Sequence, residues 1–395
     1  MTDLKKTIRE KAQEHYDYMV QTRRYLHKNP EISFKEFDTT EYIVHELKKL
    51  GIESIRPLET GCVGIIEGKK SDRSIALRAD IDALAMDEEG DHKKEFMSER
   101  PGAAHCCGHD AHTANLLGVA NILTEMQDYI EGKVLLVFQP AEEKLPGGGK
   151  VMLDSGILQK HGVQNIFGLH TYPYLEPGKI STKPGALMAG TNEFEIDIIG
   201  RGGHAAAPHQ AVDPIVMAAT IISQFQTVVS RSIDPTQPAV LTVGKITGGS
   251  AHNVIPEKVS IIGTVRTFSD EVTTAIHNRM ETIVKSVTEN SGGSYRANFE
   301  RGYPPVLNNE KSTEKLLKSA RSVLGEKNVR ELDRPLMAGE DFAFYQKEIP
   351  GAFFYLGSGS DEANSKWSWH HPMYNVDEKC FLTGASLMAG VALNV

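Results

Sequence analysis

Three apolar runs constrain this chain most: "RSIALRAD" ending at Asp80, "KVLLVFQP" leading into "AEE", and "QNIFGLH" ending at His170. Runs of this kind read as strands buried on both faces. Helical periodicity lies between them, as in "TANLLGVANILTEM". The alternation predicts an α/β fold with a mostly parallel sheet flanked by helices. Ligands of such sheets bind beyond the carboxyl ends of the strands. Asp80, Asp82, Glu142, Glu143 and His170 each follow the last apolar residue of a run. Five chemistry-bearing side chains are therefore expected along one edge.

From about residue 186 the pattern changes. "NEFEIDIIG" alternates apolar and polar residues, as a one-sided strand does. Two helices, "DPIVMAATIISQFQTVVS" and "TTAIHNRMETIVKSVTEN", and three further strands follow in the order β-α-β-β-α-β. That order fits a split βαβ, ferredoxin-like α+β domain. With 395 residues the chain exceeds what one core usually serves. The expected organisation is a main domain over 1–185 and 302–395, interrupted by a small domain over 186–301. The first 50 residues read as helical, with Gly51 as a C-terminal cap.

A formal net charge of -9 argues against the basic surface that a nucleic-acid binder or a polybasic membrane anchor needs. No stretch approaches the roughly 20 apolar residues of a membrane span, and the N-terminal stretch has no signal-peptide core. The expectation is a cytoplasmic protein. Four cysteines (Cys62, Cys106, Cys107 and Cys380), with no C-x-x-C, make neither a disulfide framework nor a thioredoxin-like motif.

Two of those cysteines fall in "HCCGHDAH", residues 105–112. In an extended loop, side chains at i and i+2 share a side. Cys107 and His109 would then reach one metal ion, for which thiolate and imidazole are good ligands, while Cys106 faces away. The competing reading is a polar turn ahead of a helix, with Asp110 as its N-cap. The adjacent carboxylates of "QPAEE" read either as a solvated turn or as a metal ligand beside a general base. His170 in "GLHTYP" and His370 in "WHHPMY" are weak signals singly. "RGGHAAAPH" and "GGGK" lack the lysine spacing and helix start of a phosphate loop.

Taken together, "RRYLHKNPEISFKE", "LRADIDAL", "HCCGHDAHTA", "FQPAEE", "GRGGHAAAPH", "NVIP", "GTVRTF", "AGEDFAFY" and "HHPMYNVDE" resemble, in order, the aminoacylase, hippurate hydrolase and auxin-conjugate amidohydrolase family of dinuclear metallopeptidases. The resemblance runs from about residue 20 to 378. It implies a catalytic domain with two divalent metal ions per subunit (Zn2+ or Mn2+, with Co2+ or Ni2+ as further options) and a lid domain that also mediates dimerisation. By motif, the ligands are Cys107, His109, Glu143, His170 and His370, with Cys107 bridging and His371 a neighbour. Glu142 is the general base, His204 the oxyanion donor, in a dimer from either subunit, and Asn253 and Arg266 hold the substrate carboxylate. Asp80, Asp82 and Glu340 are expected to support the ligands from behind.

Two departures stand out: Cys106 replaces the family's alanine, and Ala85 its proline. "DEEGDHKKEFMSERPG" is unusually charged, with consequences for substrate choice or loop order. The implied activity is hydrolysis of N-acyl amino acids (N-acetyl, benzoyl or longer acyl) to an amino acid and a carboxylic acid, by a homodimer or tetramer. The alternatives are a dipeptidase or carboxypeptidase on small peptides, and a non-catalytic metal- or ligand-binding protein. Retention of Glu142 argues against the last, since binding alone needs no base.

Overall fold

The computed structural model describes residues 2–395; residue 1, where the first expected domain begins, lies outside them. The chain divides into two compact units. The larger takes in the chain up to Leu187, Leu307–Arg334 and Asp341–Val395. Its sheet has eight strands, in the order Glu53–Ile55, Cys62–Glu67, Glu131–Gln139, Lys69–Asp80, Asn165–Tyr172, Gly351–Gly357, Ile180–Thr182, Val329–Glu331. The four strands from Glu131–Gln139 to Gly351–Gly357 run parallel. Cys62–Glu67 and Ile180–Thr182 flank them antiparallel.

Why the central runs are continuously apolar is visible in the side-chain alternation. Val134, Leu136 and Phe138 enter the helix-covered core with Ile75, Leu77 and Phe354. Leu135 and Val137 point to the opposite face and are equally buried. The helix His109–Glu125 lies in the middle of that core, with fourteen of its 17 residues buried. It is apolar around most of its circumference, as a helix enclosed on all sides must be. No helix among the described residues is long and apolar enough to cross a membrane.

The smaller unit comprises Met188–Val306 and Pro335–Glu340. Its four-stranded antiparallel sheet has the order Ala239–Gly248, Lys258–Thr267, Gly190–Ile199, Ser294–Arg301. Phe194, Ile196 and Ile198 pack against Ile221 and Phe225 of helix Pro214–Ser232 and Ile276 and Met280 of helix Asp270–Asn290. Both helices begin where capping chemistry dictates. Asp213 accepts the Ile215 N–H ahead of Pro214, and Ser269 accepts that of Val272. The segment Pro335–Glu340 had no signature in the sequence. It joins this unit through the Leu336 and Ala338 carbonyls, which both accept the Ala189 N–H at 3.0 Å.

A buried cation ties the central strands of the larger unit together. Arg78, 0% exposed, donates from Nε to Gln139 and from its two terminal nitrogens to Asp80 and Asp341, each at 2.8 Å. Removing one partner of such a group leaves uncompensated buried charge, a cost of about 3–5 kcal/mol. Arg78→Met should therefore lower the unfolding free energy, read from equilibrium denaturation, by about 3–5 kcal/mol, despite its similar apolar bulk.

Candidate metal centre at the strand ends

Asp82, just past the end of strand Lys69–Asp80, organises the edge of the sheet. Its carboxylate accepts from His109 Nδ1 (3.1 Å), the Glu142 and Glu143 N–H groups (3.0 Å each) and the Ser33 hydroxyl (2.7 Å). Burial alone would raise this acid. The hydrogen bonds from His109, Ser33 and the Glu143 backbone instead hold it below its usual value. The turn into the two glutamates is strained, since Ala141 has φ +52. It is held from the other side by Glu36, whose carboxylate accepts the Ala141 N–H at 2.8 Å. Burial, then the nearby Asp82, pushes Glu36 up to about 7.

Cys107 and His109 converge by a different geometry from the extended loop expected. Gly108 has φ +97 and starts the helix at His109. A Cβ at this position would lie 2.5 Å from Thr171 Oγ1 and 2.8 Å from the Tyr374 hydroxyl, so only glycine fits. Asp110 is not the N-cap. It lies in the first helical turn and accepts from Arg23 Nε (3.0 Å) and His27 Nδ1 (2.7 Å). Cys106 is 0% exposed in the hydrophobic core, and burial pushes its thiol up to about 12.

Two groups of donor atoms share one sulfur. Cys107, His109 and His170 present atoms within 4.8 Å of one another, and so do Cys107, Glu143 and His370. Cys107 Sγ is 3.3 Å from His170 Nε2, and Glu143 Oε1 is 3.2 Å from His370 Nε2. His170 Nδ1 donates to the Thr171 carbonyl at 2.8 Å, as His109 Nδ1 does to Asp82. In His170 this leaves the Nε2 lone pair facing the cluster. Burial would lower His109, but Asp80, Asp82 and Glu143 raise it to about 10, so its Nε2 proton must leave before that nitrogen can ligate. His109 Nε2 is buried with no hydrogen-bond partner, which asks for a cation there. Glu142, 6% exposed, joins His109 and Glu143 within the same 4.8 Å. Its Oε1 also lies 3.4 Å from the Asp341 N–H.

His370 itself has φ +64, and its N–H is bound by the Cys106 carbonyl at 2.8 Å. Its side chain is 53% exposed, so this side of the cluster is open. The neighbouring His371 turns elsewhere. Its ring stacks on Trp367 at 4.5 Å, and Nδ1 accepts the Met373 N–H.

Asp80 and His112 also lie within 4.8 Å of His109, yet His112 is already satisfied. Nδ1 bonds Asp80 at 2.6 Å, and Nε2 accepts the Thr171 N–H at 2.9 Å. Asp80 thus orients His112, which in turn fixes the backbone beside His170. The sequence reading missed His112, although its place one turn after His109 puts both on one helix face. It also missed Glu36, for which no local pattern exists.

The electrostatics favour loading by a cation. Burial, then Glu143, Glu142 and Asp80, push the Cys107 thiol well above its usual value. Burial and the neighbouring His112 drive His170 well below its own. The histidine is therefore neutral and ready to ligate, while the thiol must release its proton as it binds.

The remaining expected residues lie in the smaller unit. His204 pairs with Val254 in a two-stranded ladder, and the Asn253 carbonyl accepts the Ala205 N–H at 3.1 Å. These two exposed residues are thereby neighbours. Arg266 is half-buried on strand Lys258–Thr267, where it bonds the Thr264 hydroxyl and the Val265 carbonyl. Glu340 is 1% exposed and immediately precedes Asp341 in the chain.

This chain is 44% identical over 287 residues to an N-acyl-L-amino acid amidohydrolase of Geobacillus stearothermophilus, covering 72% of this chain and 76% of that one. It is 41% identical over 367 residues to an N-acetyl-L-cysteine deacetylase of Bacillus subtilis, covering 92% and 85%. The solved structure of a dinuclear metal-binding M20 peptidase of Bacillus subtilis superposes with a TM-score of 0.82 at 33% identity, covering 96% and 98%. The model for peptidase family M20/M25/M40 matches residues 76–394, and the chain belongs to that family.

Proposed function

We propose that this protein is a metal-dependent amidohydrolase that cleaves N-acyl amino acids to an amino acid and a carboxylic acid. The observation that carries the reading is the double donor set sharing Cys107 Sγ, with Glu142 beside it. The amidohydrolase and deacetylase activities of its relatives support the same substrate class.

We assign Cys107, His109 and His170 to one divalent cation and Cys107, Glu143 and His370 to a second. Two such ions, when bound, polarise the amide carbonyl and make water more acidic. Glu142 takes the proton of the attacking water on its carboxylate and later delivers it to the departing amine nitrogen. Asp82 keeps His109 in its ligating tautomer, and its grip on both glutamate N–H groups fixes the two carboxylates in separate tasks. We assign His204 to the developing oxyanion, and Asn253 and Arg266 to the substrate carboxylate, which suits a guanidinium fork. Zn2+ and Mn2+ are the proposed ions, since thiolate and imidazole donors favour the first and carboxylate admits the second. A homodimer in the cytoplasm is the proposed form; four buried cysteines without a disulfide fit a reducing compartment.

The reading is tested by assaying reconstituted protein on N-acetyl, benzoyl, long-chain acyl and dipeptide substrates, with a chelator control. Chelator-sensitive hydrolysis of one acyl class is expected; no hydrolysis across the panel rejects the proposal. Glu142→Gln should retain bound metal in elemental analysis while kcat falls about 10²–10⁴-fold, the usual worth of a general base. Cys107→Ala should lose both metal and turnover. Cys106→Ala should keep both, because its side chain is buried in the core and belongs to neither donor set.

A further inference from the structure

The charged stretch 87–100 carries a lysine whose position its composition does not explain. Lys93 is 0% exposed. Its ammonium has three hydrogens and three partners: the Glu88 carboxylate at 2.6 Å and the carbonyls of Pro372 and Tyr374 at 2.9 Å each. Neighbouring groups grip the same segment. Glu89 N–H donates to the Pro372 carbonyl at 2.9 Å, and His92 Nε2 to the Met373 carbonyl at 3.1 Å. Three successive carbonyls, two to four residues after His370, are thus all held from residues 89–93.

The clamp is anchored at the other end to the helix that begins with His109. Glu88 bonds His27 Nε2 at 3.0 Å, and His27 Nδ1 bonds Asp110. Arg23 closes the circuit, joining Asp110 to Asn375 at 2.8 Å and to Glu378 at 3.1 Å. His370 needs such external support. Its own φ is +64 and its ring is half in solvent; the Cys106 carbonyl holds its N–H, while the chain after it is held by residues 89–93.

We propose that Lys93 is a positioning residue for His370, such that the Cys107–Glu143–His370 donor set depends on it and the Cys107–His109–His170 set does not. The inference rests on the two-cation reading above. It gives the charged stretch a task in assembling the metal centre rather than in contacting substrate. Residues that orient ligands from behind typically contribute about 10–100-fold to metal affinity.

The test is calorimetric titration of the chelator-stripped full-length protein with Co2+. Wild type should take up two equivalents, and His370→Ala identifies the one that His370 completes. Lys93→Met should weaken that same equivalent about 10–100-fold and leave the other unchanged. In the combined variant Lys93→Met/His370→Ala, the lysine change should cost nothing further. His92→Ala alters only the rim of the clamp and should weaken the same equivalent by a smaller factor. This variant decides the matter if circular dichroism shows that Lys93→Met does not fold. Two equivalents bound as in wild type by the folded variants, or both weakened in parallel, would overturn the clamp and leave the two-cation reading standing. Fewer than two equivalents in wild type would overturn both.

Discussion

Everything at this sheet edge depends on the Asp82 carboxylate. Two oxygens accept four hydrogen bonds from three separate parts of the chain: Ser33, His109 and the Glu142–Glu143 backbone. One anion therefore sets a ring orientation and the entry of two adjacent carboxylates at once. The arrangement needs burial to work. In water the same four bonds would exchange freely, whereas inside the protein each unpaired group is costly. Asp82 is 1% exposed, so releasing the turn at Ala141 would cost this buried acid two of its four hydrogen bonds, which helps the turn keep its unfavourable backbone angle.

Around this anion the larger unit buries charge in pairs. Arg78 joins Asp80 to Asp341, and Arg23 joins Asp110 to Asn375 and Glu378. Burial alone would raise Asp80 and Asp110, but the arginines and histidines around them keep these two well below the usual carboxylate range. Each network connects residues far apart in sequence to a segment bearing a donor atom of the cluster. The apolar core supplies the bulk of the fold, and these networks fix the register of its polar edge.

Much of this was legible beforehand. Apolar runs ending in Asp80, Gln139 and His170 gave away the central parallel strands, because residues of a strand buried on both faces cannot alternate. The small unit's β-α-β-β-α-β order was similarly open to reading from its period, whereas the antiparallel flanks of the larger sheet were not. Cys107, His109, Glu143, His170 and His370 were read from motif resemblance, and the structure brings them into one cluster. Other features had no local signature. The return of Pro335–Glu340 to the smaller unit is a long-range pairing made by backbone carbonyls. Lys93 looks in sequence like one more solvated lysine in "DHKK", and only the fold reveals that its ammonium is enclosed. Asp110 resembled a helix cap because caps are commonly aspartate, yet Gly108 took that position and freed Asp110 to bind Arg23.

The pair of cysteines ends up divided between backbone and side chain. Cys107 offers its sulfur to both donor sets, while Cys106 offers only a peptide carbonyl, to the His370 N–H. Every residue type carries that carbonyl. Substitution at 106 is thus limited by the volume of an apolar niche and is blind to sulfur chemistry, which leaves the position open to drift among small side chains. At 107 the sulfur itself lies in both donor sets, so the proposed two-cation site would leave no such latitude. Two adjacent, identical letters in the chain are under unrelated selective pressures, and the difference is decided by which atoms of each residue the site uses.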